Sequence, residues 1–295
     1  ADGAVASTAT PPPFPPARPM AAKRRHTSSR AFGLTALAML AFAGNSILCR
    51  MALADATIDP ASFTALRLAS GAAMLLLVLS LSHRRKATKG HGSWLSALML
   101  FVYAICFSYA YVTLSAGAGA LILFGFVQAT MIGWGLWTGD RPGGLEWLGW
   151  AVAVLGLVWL VMPGIEAPPM AGAALMAASG AAWGIYTLRG RGESDPLAAT
   201  ASNFTRSLVF AAALALIAIG NTDISNRGAL LAVLSGAATS GIGYVIWYAA
   251  LDELTAMQAA LVQLSVPAIA AGGGVLLLAE PLTVRLLLSL SLIHI

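Results

Sequence analysis

Polar and aromatic residues stand at helical spacing inside otherwise apolar segments of this sequence, a pattern suited to binding a small solute. Ser179, Trp183 and Tyr186, for example, are spaced i, i+4, i+7 and therefore share one helix face. Aromatic walls with a few amide and hydroxyl groups fit a small, partly apolar molecule such as an amino acid. The candidates for a solute cavity are Asn45, Tyr103, Gln128, Ser179, Trp183, Tyr186, Ser240, Tyr244, Trp247, Gln263 and Ser265.

Each of these residues has an alternative role in helix packing. Gln, Ser and Asn side chains bridge membrane helices for about 0.6 kcal/mol each, and Tyr or Trp rings anchor at interfaces. For a single residue the two roles are equally good interpretations. For the group as a whole, the shared helix faces favour a cavity lining.

A second pattern lies in the stretch LVQLSVPAIAAGGGVLLLAEPLT, residues 261–283. Pro267 leaves the carbonyl of residue 263 without its helical partner and predicts a kink. Gly272, Gly273 and Gly274 permit bending or close packing further along. A helix with a flexible point beside a cavity is typical of a gating element, whereas a fixed kink in a static bundle is the alternative.

Charges inside the apolar segments are few. Arg67 and Arg206 each lie about two turns from a segment start, so the sequence favours snorkelling to the interface or a structural role at the helix end over a contact with a substrate carboxylate. Acidic residues such as Asp140 and Glu280 stand at segment ends, and the four His residues are not mid-segment. This distribution argues against proton coupling.

Composition places the chain in a membrane. Of its 295 residues 58% are hydrophobic and 10% charged, and the mean hydropathy is +0.80. A bilayer core of about 30 Å needs roughly 20 apolar residues per helix. Spans are predicted near 32–53, 61–82, 93–114, 117–138, 145–163, 170–189, 197–219, 228–250 and 255–279, and a tenth begins near 282 and is cut at Ile295.

The basic residues indicate orientation. Lys and Arg gather before the first span and in the second, fourth and sixth loops, which predicts a cytoplasmic N-terminus in a bacterial inner membrane. Residues 1–31 form a basic, Pro-rich arm that is expected to be disordered. The net charge of +5 is therefore explained by the lipid bilayer as partner, and no nucleic-acid partner is expected.

The two halves of the chain resemble each other with a period near 140 residues. Pro60 corresponds to Pro196, and Arg67 corresponds to Arg206 after a small gap. Because each half holds five spans, an odd number, the second repeat would enter the membrane inverted. The predicted repeats are 32–163 and 170–295, and chance similarity among apolar segments is the alternative.

With FTALR at 63–67 and WYAAL followed by TAMQAALVQLSVPAIAAGGGVLLLAEPLT at 247–283, the sequence resembles the EamA-type members of the drug/metabolite transporter superfamily. The resemblance implies an all-α ten-helix bundle of two inverted five-helix repeats around a central cavity. It also implies outward movement of small metabolites such as amino acids. Two positions depart from the usual pattern: Ala43, where Trp is common, and Asp140, where Glu is usual.

Other functions fit less well. A membrane enzyme would need clustered His, Asp, Glu or Ser–His pairs, but the sequence has no HExxH, GxSxG or Walker motif. No catalytic residue, cofactor or metal is therefore predicted, and Cys49 and Cys106 are interpreted as core residues. A scaffold would not need inverted repeats, and a sugar-phosphate or nucleotide-sugar carrier would need several cavity cations. The prediction is a secondary transporter of neutral or zwitterionic solutes that works by alternating access.

Overall fold

The chain is described here by a computed structural model that covers residues 29–82, 91–139, 141–164, 166–191, 193–254 and 256–293. A π-helical segment, Ser235–Ile242, lies within the continuous helical run Asn226–Leu251. The helices are α1 Ser29–Ala54, α2 Pro60–Leu81, α3 Trp94–Tyr111, α4 Ala116–Trp137, α5 Gly144–Val161, α6 Met170–Gly190, α7 Pro196–Ala218, α8 Asn226–Leu234, α9 Gly243–Leu251, α10 Ala256–Gln263, α11 Ser265–Leu278 and α12 Val284–Ile293.

Within the described ranges, nine helical segments are long and apolar enough to cross a membrane, and each overlaps one of the nine predicted spans. Seven of them are α1 to α7, and the other two are the continuous run Asn226–Leu251 and the segment Leu261–Leu278, which spans the end of α10 and all of α11. The same ranges contain no strand, only an isolated bridge between Ile58 and Ile224. The all-α membrane bundle is therefore confirmed. The last helix, α12, has ten residues and is about 15 Å long, half the thickness of a bilayer core.

One boundary was drawn wrongly from the sequence. The arm was expected to extend to residue 31, but α1 already begins at Ser29, and Ala31 is fully buried. The remainder of the predicted arm lies outside the described residues.

Matched signals start the second helix of each half. The Asp59 carboxylate accepts a hydrogen bond from the backbone N–H of Ser62 (2.9 Å) at the start of α2. Asp195 accepts one from Ala198 (3.1 Å) at the start of α7. A proline follows each aspartate, at the first helical position, where its missing N–H costs nothing.

Helix pairs exchange partners between the halves. In the two halves α1 corresponds to α6, α3 to α8 with α9, and α4 to α11. α3 and α4 both pack on α6, and in the same way α8, α9 and α11 all pack on α1. α2 packs against α7, α4 against α11, and α5 against α12, so each of these helices meets its own counterpart. Two equivalent halves related by a pseudo-two-fold axis produce this pattern, while the boundaries 32–163 and 170–295 stay a prediction.

Small residues let the helices approach closely, as expected where lipid removes the hydrophobic drive between helices. Gly117 packs against Ala271, and Gly180 packs against the backbone of Leu123. Gly236, in the π-helical segment, packs against the backbone carbonyl of Arg67. These contacts fix how near the π-helical segment can come to α2.

We expect Gly236→Ala to lower the melting temperature of the detergent-purified protein by about 3 °C or more. The added methyl group would overlap the Arg67 carbonyl, a backbone atom that cannot swing aside. Gly133→Ala is the matched control, because nothing lies within 4 Å of that position. Equal melting temperatures for the two variants would contradict the close contact.

Candidate functional site

A small cavity lies where the two halves of the bundle meet. The first half supplies Phe42, Asn45, Ser46, Tyr103, Phe107, Leu123 and Phe124. The second half supplies Trp183, Thr239, Ser240, Tyr244 and Gln263. The cavity has a volume of about 30 Å³, which is room for about two water molecules.

Six of the eleven candidates from the sequence line this cavity: Asn45, Tyr103, Trp183, Ser240, Tyr244 and Gln263. The other five lie elsewhere. The hydroxyl of Ser179 donates to the Tyr103 carbonyl (2.9 Å), Tyr186 stacks on Trp183, and Trp247 meets Phe42 edge-on. These three therefore support the wall from behind.

Gln128 and Ser265, the other two, do not line the cavity. Gln128 is partly exposed on α4. The Ser265 hydroxyl donates to the Val262 carbonyl at 2.6 Å, at the junction of α10 and α11. Mid-segment position alone therefore did not identify the helix face that turns inward.

Of the other six lining residues, Phe107 shares the helix face of the candidate Tyr103, four residues before it. Sequence reasoning missed the remaining five, Phe42, Ser46, Leu123, Phe124 and Thr239. Phe42 lies three residues before Asn45 and four residues before Ser46, a helical spacing that could have found both. Thr239 was hidden by the π-helical segment, whose wider turn changes which residues share a face.

The aromatic wall of the cavity centres on Trp183. Its ring stacks on Tyr244 at 5.3 Å between centroids and on Tyr186 at 5.3 Å. The Tyr103 ring lies 4.8 Å away at an angle of 44°. Four rings in contact make a stiff apolar surface against which an aromatic or aliphatic group can pack.

The polar side of the cavity centres on Asn45. Its Oδ1 accepts hydrogen bonds from the hydroxyls of Ser235 (2.7 Å) and Thr239 (3.4 Å). Its Nδ2 donates to the Tyr103 hydroxyl at 3.3 Å. These bonds fix the amide orientation and join α1, α3 and the π-helical segment.

Arg67 does not snorkel, so that interpretation of the sequence was wrong for this residue. Its side chain is only 2% exposed, because α7 and the π-helical segment both pack on α2 and close the route to the interface. Nη2 donates to the Tyr103 hydroxyl at 2.8 Å. The guanidinium lies 5.0 Å from the ring centre of Tyr103 and 4.8 Å from that of Phe107.

Arg206 behaves differently from its counterpart. It is half-buried, donates from Nη1 to the carbonyl of His91 at 3.1 Å, and lies 6.0 Å from the ring centre of Trp94. This position, against the loop that precedes α3, agrees with a helix-end role.

The helix is interrupted near the predicted kink, at the junction of α10 and α11. α10 ends at Gln263 and α11 begins at Ser265, with only Leu264 between them. Pro267 is the third residue of α11, where a missing N–H leaves no helical hydrogen bond unmade. The cavity-lining Gln263 therefore stands directly at the break.

The three glycines lie away from the helix interruption, and the close-packing alternative describes two of them. Gly272, Gly273 and Gly274 lie within the continuous helix α11. A side chain on Gly273 would collide with Ile47 of α1, and one on Gly274 would approach the Glu280 carboxylate. Gly273 and Gly274 therefore serve close packing.

A partly buried ion pair lies at the end of the bundle opposite to the start of α1, and the sequence did not identify it. Arg50 Nε lies 3.0 Å from Glu280 Oε1, and the two side chains are 20% and 12% exposed. Arg50 Nη1 also donates to the carbonyls of Tyr111 and Val112, both at 3.0 Å. Glu280 Oε2 accepts the backbone N–H of Ala116 at 2.8 Å. The pair joins α1, the turn between α3 and α4, and the end of α11.

We expect Tyr103→Phe to destabilise the protein, because it removes the oxygen that accepts hydrogen bonds from Arg67 and Asn45. A hydrogen bond to a charged group contributes about 1.5–3 kcal/mol, so the melting temperature should fall by about 3 °C or more. In Tyr244→Phe, the matched control, the lost hydroxyl makes no hydrogen bond to any residue that the structure describes. A loss as large in Tyr244→Phe would show that the Tyr103 network contributes nothing specific.

Comparison with known proteins agrees with this architecture. Residues 170–295 match the model of the EamA-like transporter family. An uncharacterized protein of Pseudomonas aeruginosa, PA1977, is 58% identical over 253 residues, which cover 86% of this chain and 88% of that protein.

A solved structure, described only as "Crystal structure of protein", superposes with a TM-score of 0.58 at 18% identity. The superposition covers 88% of this chain and 94% of that one, and at this identity it shows the fold alone. The second half of the chain matches the family model, and the helical bundle with a cavity between its halves agrees with that match. The chain belongs to the EamA-like transporter family.

Proposed function

We propose that this protein is a secondary transporter that moves small neutral or zwitterionic metabolites, of amino-acid size, outward across the bacterial inner membrane. We further propose that the protein lies in the lipid bilayer with its N-terminus in the cytoplasm and has no enzymatic activity. It rests most on one observation: the cavity lies between the halves, and both halves supply its walls. A site at the interface of inverted repeats can open to either side when the two halves exchange conformations.

The size of the cavity requires movement. Room for about two water molecules is too little for an amino acid, so a solute can enter only if helices separate. Two features fit such a movement. The break at Leu264 is a joint beside the cavity-lining Gln263, and the Arg50–Glu280 pair holds three elements together at one end of the bundle.

The distribution of acidic residues supports facilitated diffusion or exchange. In the described ranges, every Asp and Glu lies in the first turn of a helix or outside the helices. A proton-coupled carrier relies on a group that titrates within the membrane. We therefore propose that uptake does not require a pH gradient.

Uptake by proteoliposomes tests the function. With a panel of radiolabelled neutral amino acids that includes L-phenylalanine, we expect saturable uptake with or without a pH gradient. Trp183→Ala should lower it about tenfold or more, because Trp183 is the ring on which three other aromatic residues of the wall pack.

Trp137→Ala is the matched control, since that side chain is 83% exposed at the end of α4, and its uptake should equal that of the wild type. Uptake that occurs only with the gradient would contradict the mechanism. The absence of saturable uptake for every amino acid in the panel would contradict the solute class.

A further inference from the structure

Arg67 carries a positive charge in the centre of the bundle, and no negative partner for it is found among the residues that the structure describes. It is 2% exposed, and its Nη1 is a buried donor with no hydrogen-bond acceptor among the described residues. The ion pairs found in those ranges involve other cations, such as Arg50 and Arg227. A buried charge is normally paired or converted to its neutral form, but arginine stays charged, so this side chain calls for an anion.

Two donors converge on one neutral oxygen beside Arg67. The Tyr103 hydroxyl accepts a hydrogen bond from Arg67 Nη2 at 2.8 Å and another from Asn45 Nδ2 at 3.3 Å. A carboxylate oxygen would satisfy the same two donors with its full charge. Nη1 would then bind the second carboxylate oxygen, since the guanidinium presents its donors as a fork.

The guanidinium is separated from the cavity by only two rings. Tyr103 and Phe107 both line the cavity, and the guanidinium carbon lies 5.0 and 4.8 Å from their centres. These cation–π contacts partly stabilise the charge while the cavity is narrow. A rotation of the Tyr103 ring would expose the fork and Asn45 to the same space.

We propose that Arg67, together with Asn45, binds the carboxylate of the transported solute, with the Tyr103 hydroxyl occupying that position in the narrow conformation. The inference rests on the proposed function and names a chemical class for its solute: small organic carboxylates, α-amino acids included. The Trp183 wall on the other side of Tyr103 receives the organic part of the molecule.

A monocarboxylate fits this site better than a phosphate ester. A phosphate group carries nearly two charges and calls for several cations, whereas Arg67 is the one cation packed against the cavity-lining rings in the described ranges. Its counterpart Arg206 contacts His91 and Trp94 instead.

The test compares binding of three probes to the purified protein in lipid nanodiscs: L-phenylalanine, L-phenylalaninamide and phenethylamine. They share the ring and the amino group, and only the first has a carboxylate. We expect the wild type to bind L-phenylalanine about tenfold or more tightly than the other two. In Arg67→Gln the three affinities should converge.

Two further variants keep the test decisive. Arg206→Gln makes the same substitution at the counterpart position, outside the cavity, and should keep the full preference for L-phenylalanine. Arg67→Lys keeps the charge without the fork and replaces Arg67→Gln if that variant does not fold. It should bind L-phenylalanine with a reduced preference, and an unchanged preference would overturn the inference.

The outcomes separate the inference from the proposed function. Equal affinity of the wild type for all three probes, or full preference in Arg67→Gln, overturns the inference even where uptake is normal. An Arg67-dependent preference in a protein that takes up no amino acid of the panel supports the carboxylate site and overturns the function. Absence of binding by any probe overturns both.

A last arm of the test asks whether the site holds an inorganic anion instead of a solute carboxylate. The melting temperature is measured in sodium chloride and in sodium gluconate. Stabilisation by chloride that is lost in Arg67→Gln, without any preference for L-phenylalanine, would assign the site to chloride and overturn the inference.

Discussion

The bilayer provides no water to the polar groups of a spanning segment, so each of them needs a partner inside the protein. This constraint arranges the polar residues of the bundle. The Thr64 hydroxyl bonds the carbonyl of Pro60 on its own helix and also Ser108 on α3. The Glu280 carboxylate accepts hydrogen bonds from Arg50 and from the backbone N–H of Ala116 at the start of α4. Asn45 finds its partners in Ser235, Thr239 and Tyr103, where the two halves meet.

Close packing and chemistry coincide at the π-helical segment. Gly236 brings this segment onto α2 at the carbonyl of Arg67, and Ser235 of the same segment fixes the Asn45 amide. The wider turn also brings both Thr239 and Ser240 to the cavity. π-helical turns are frequent at functional sites because they change the direction of side chains within an otherwise regular helix. Here the turn connects the packing of α2 to the shape of the cavity.

The two halves provide a symmetric scaffold and an asymmetric site. The Asp–Pro starts of α2 and α7 match, and the packing partners exchange between the halves. The arginines do not match: Arg67 lies in the core, whereas Arg206 lies against the loop before α3. A scaffold of equivalent halves suits alternating access, whereas the different surroundings of these two arginines make the interior of the bundle asymmetric.

The sequence alone determined the class and the spans, because about 20 consecutive apolar residues have no stable place except a bilayer. It also indicated the position of the break before Pro267, since proline is tolerated in the first turn of a helix but not in its interior. It could not decide which polar residues face inward: Gln128 and Ser265 are as central in their segments as Asn45, yet only Asn45 lines the cavity. Tertiary structure decided three further features: the burial of Arg67, the Arg50–Glu280 pair and the position of Thr239 at the cavity. Each depends on which helices pack together across about 40 to 230 residues of sequence, and local periodicity carries no information about such pairs.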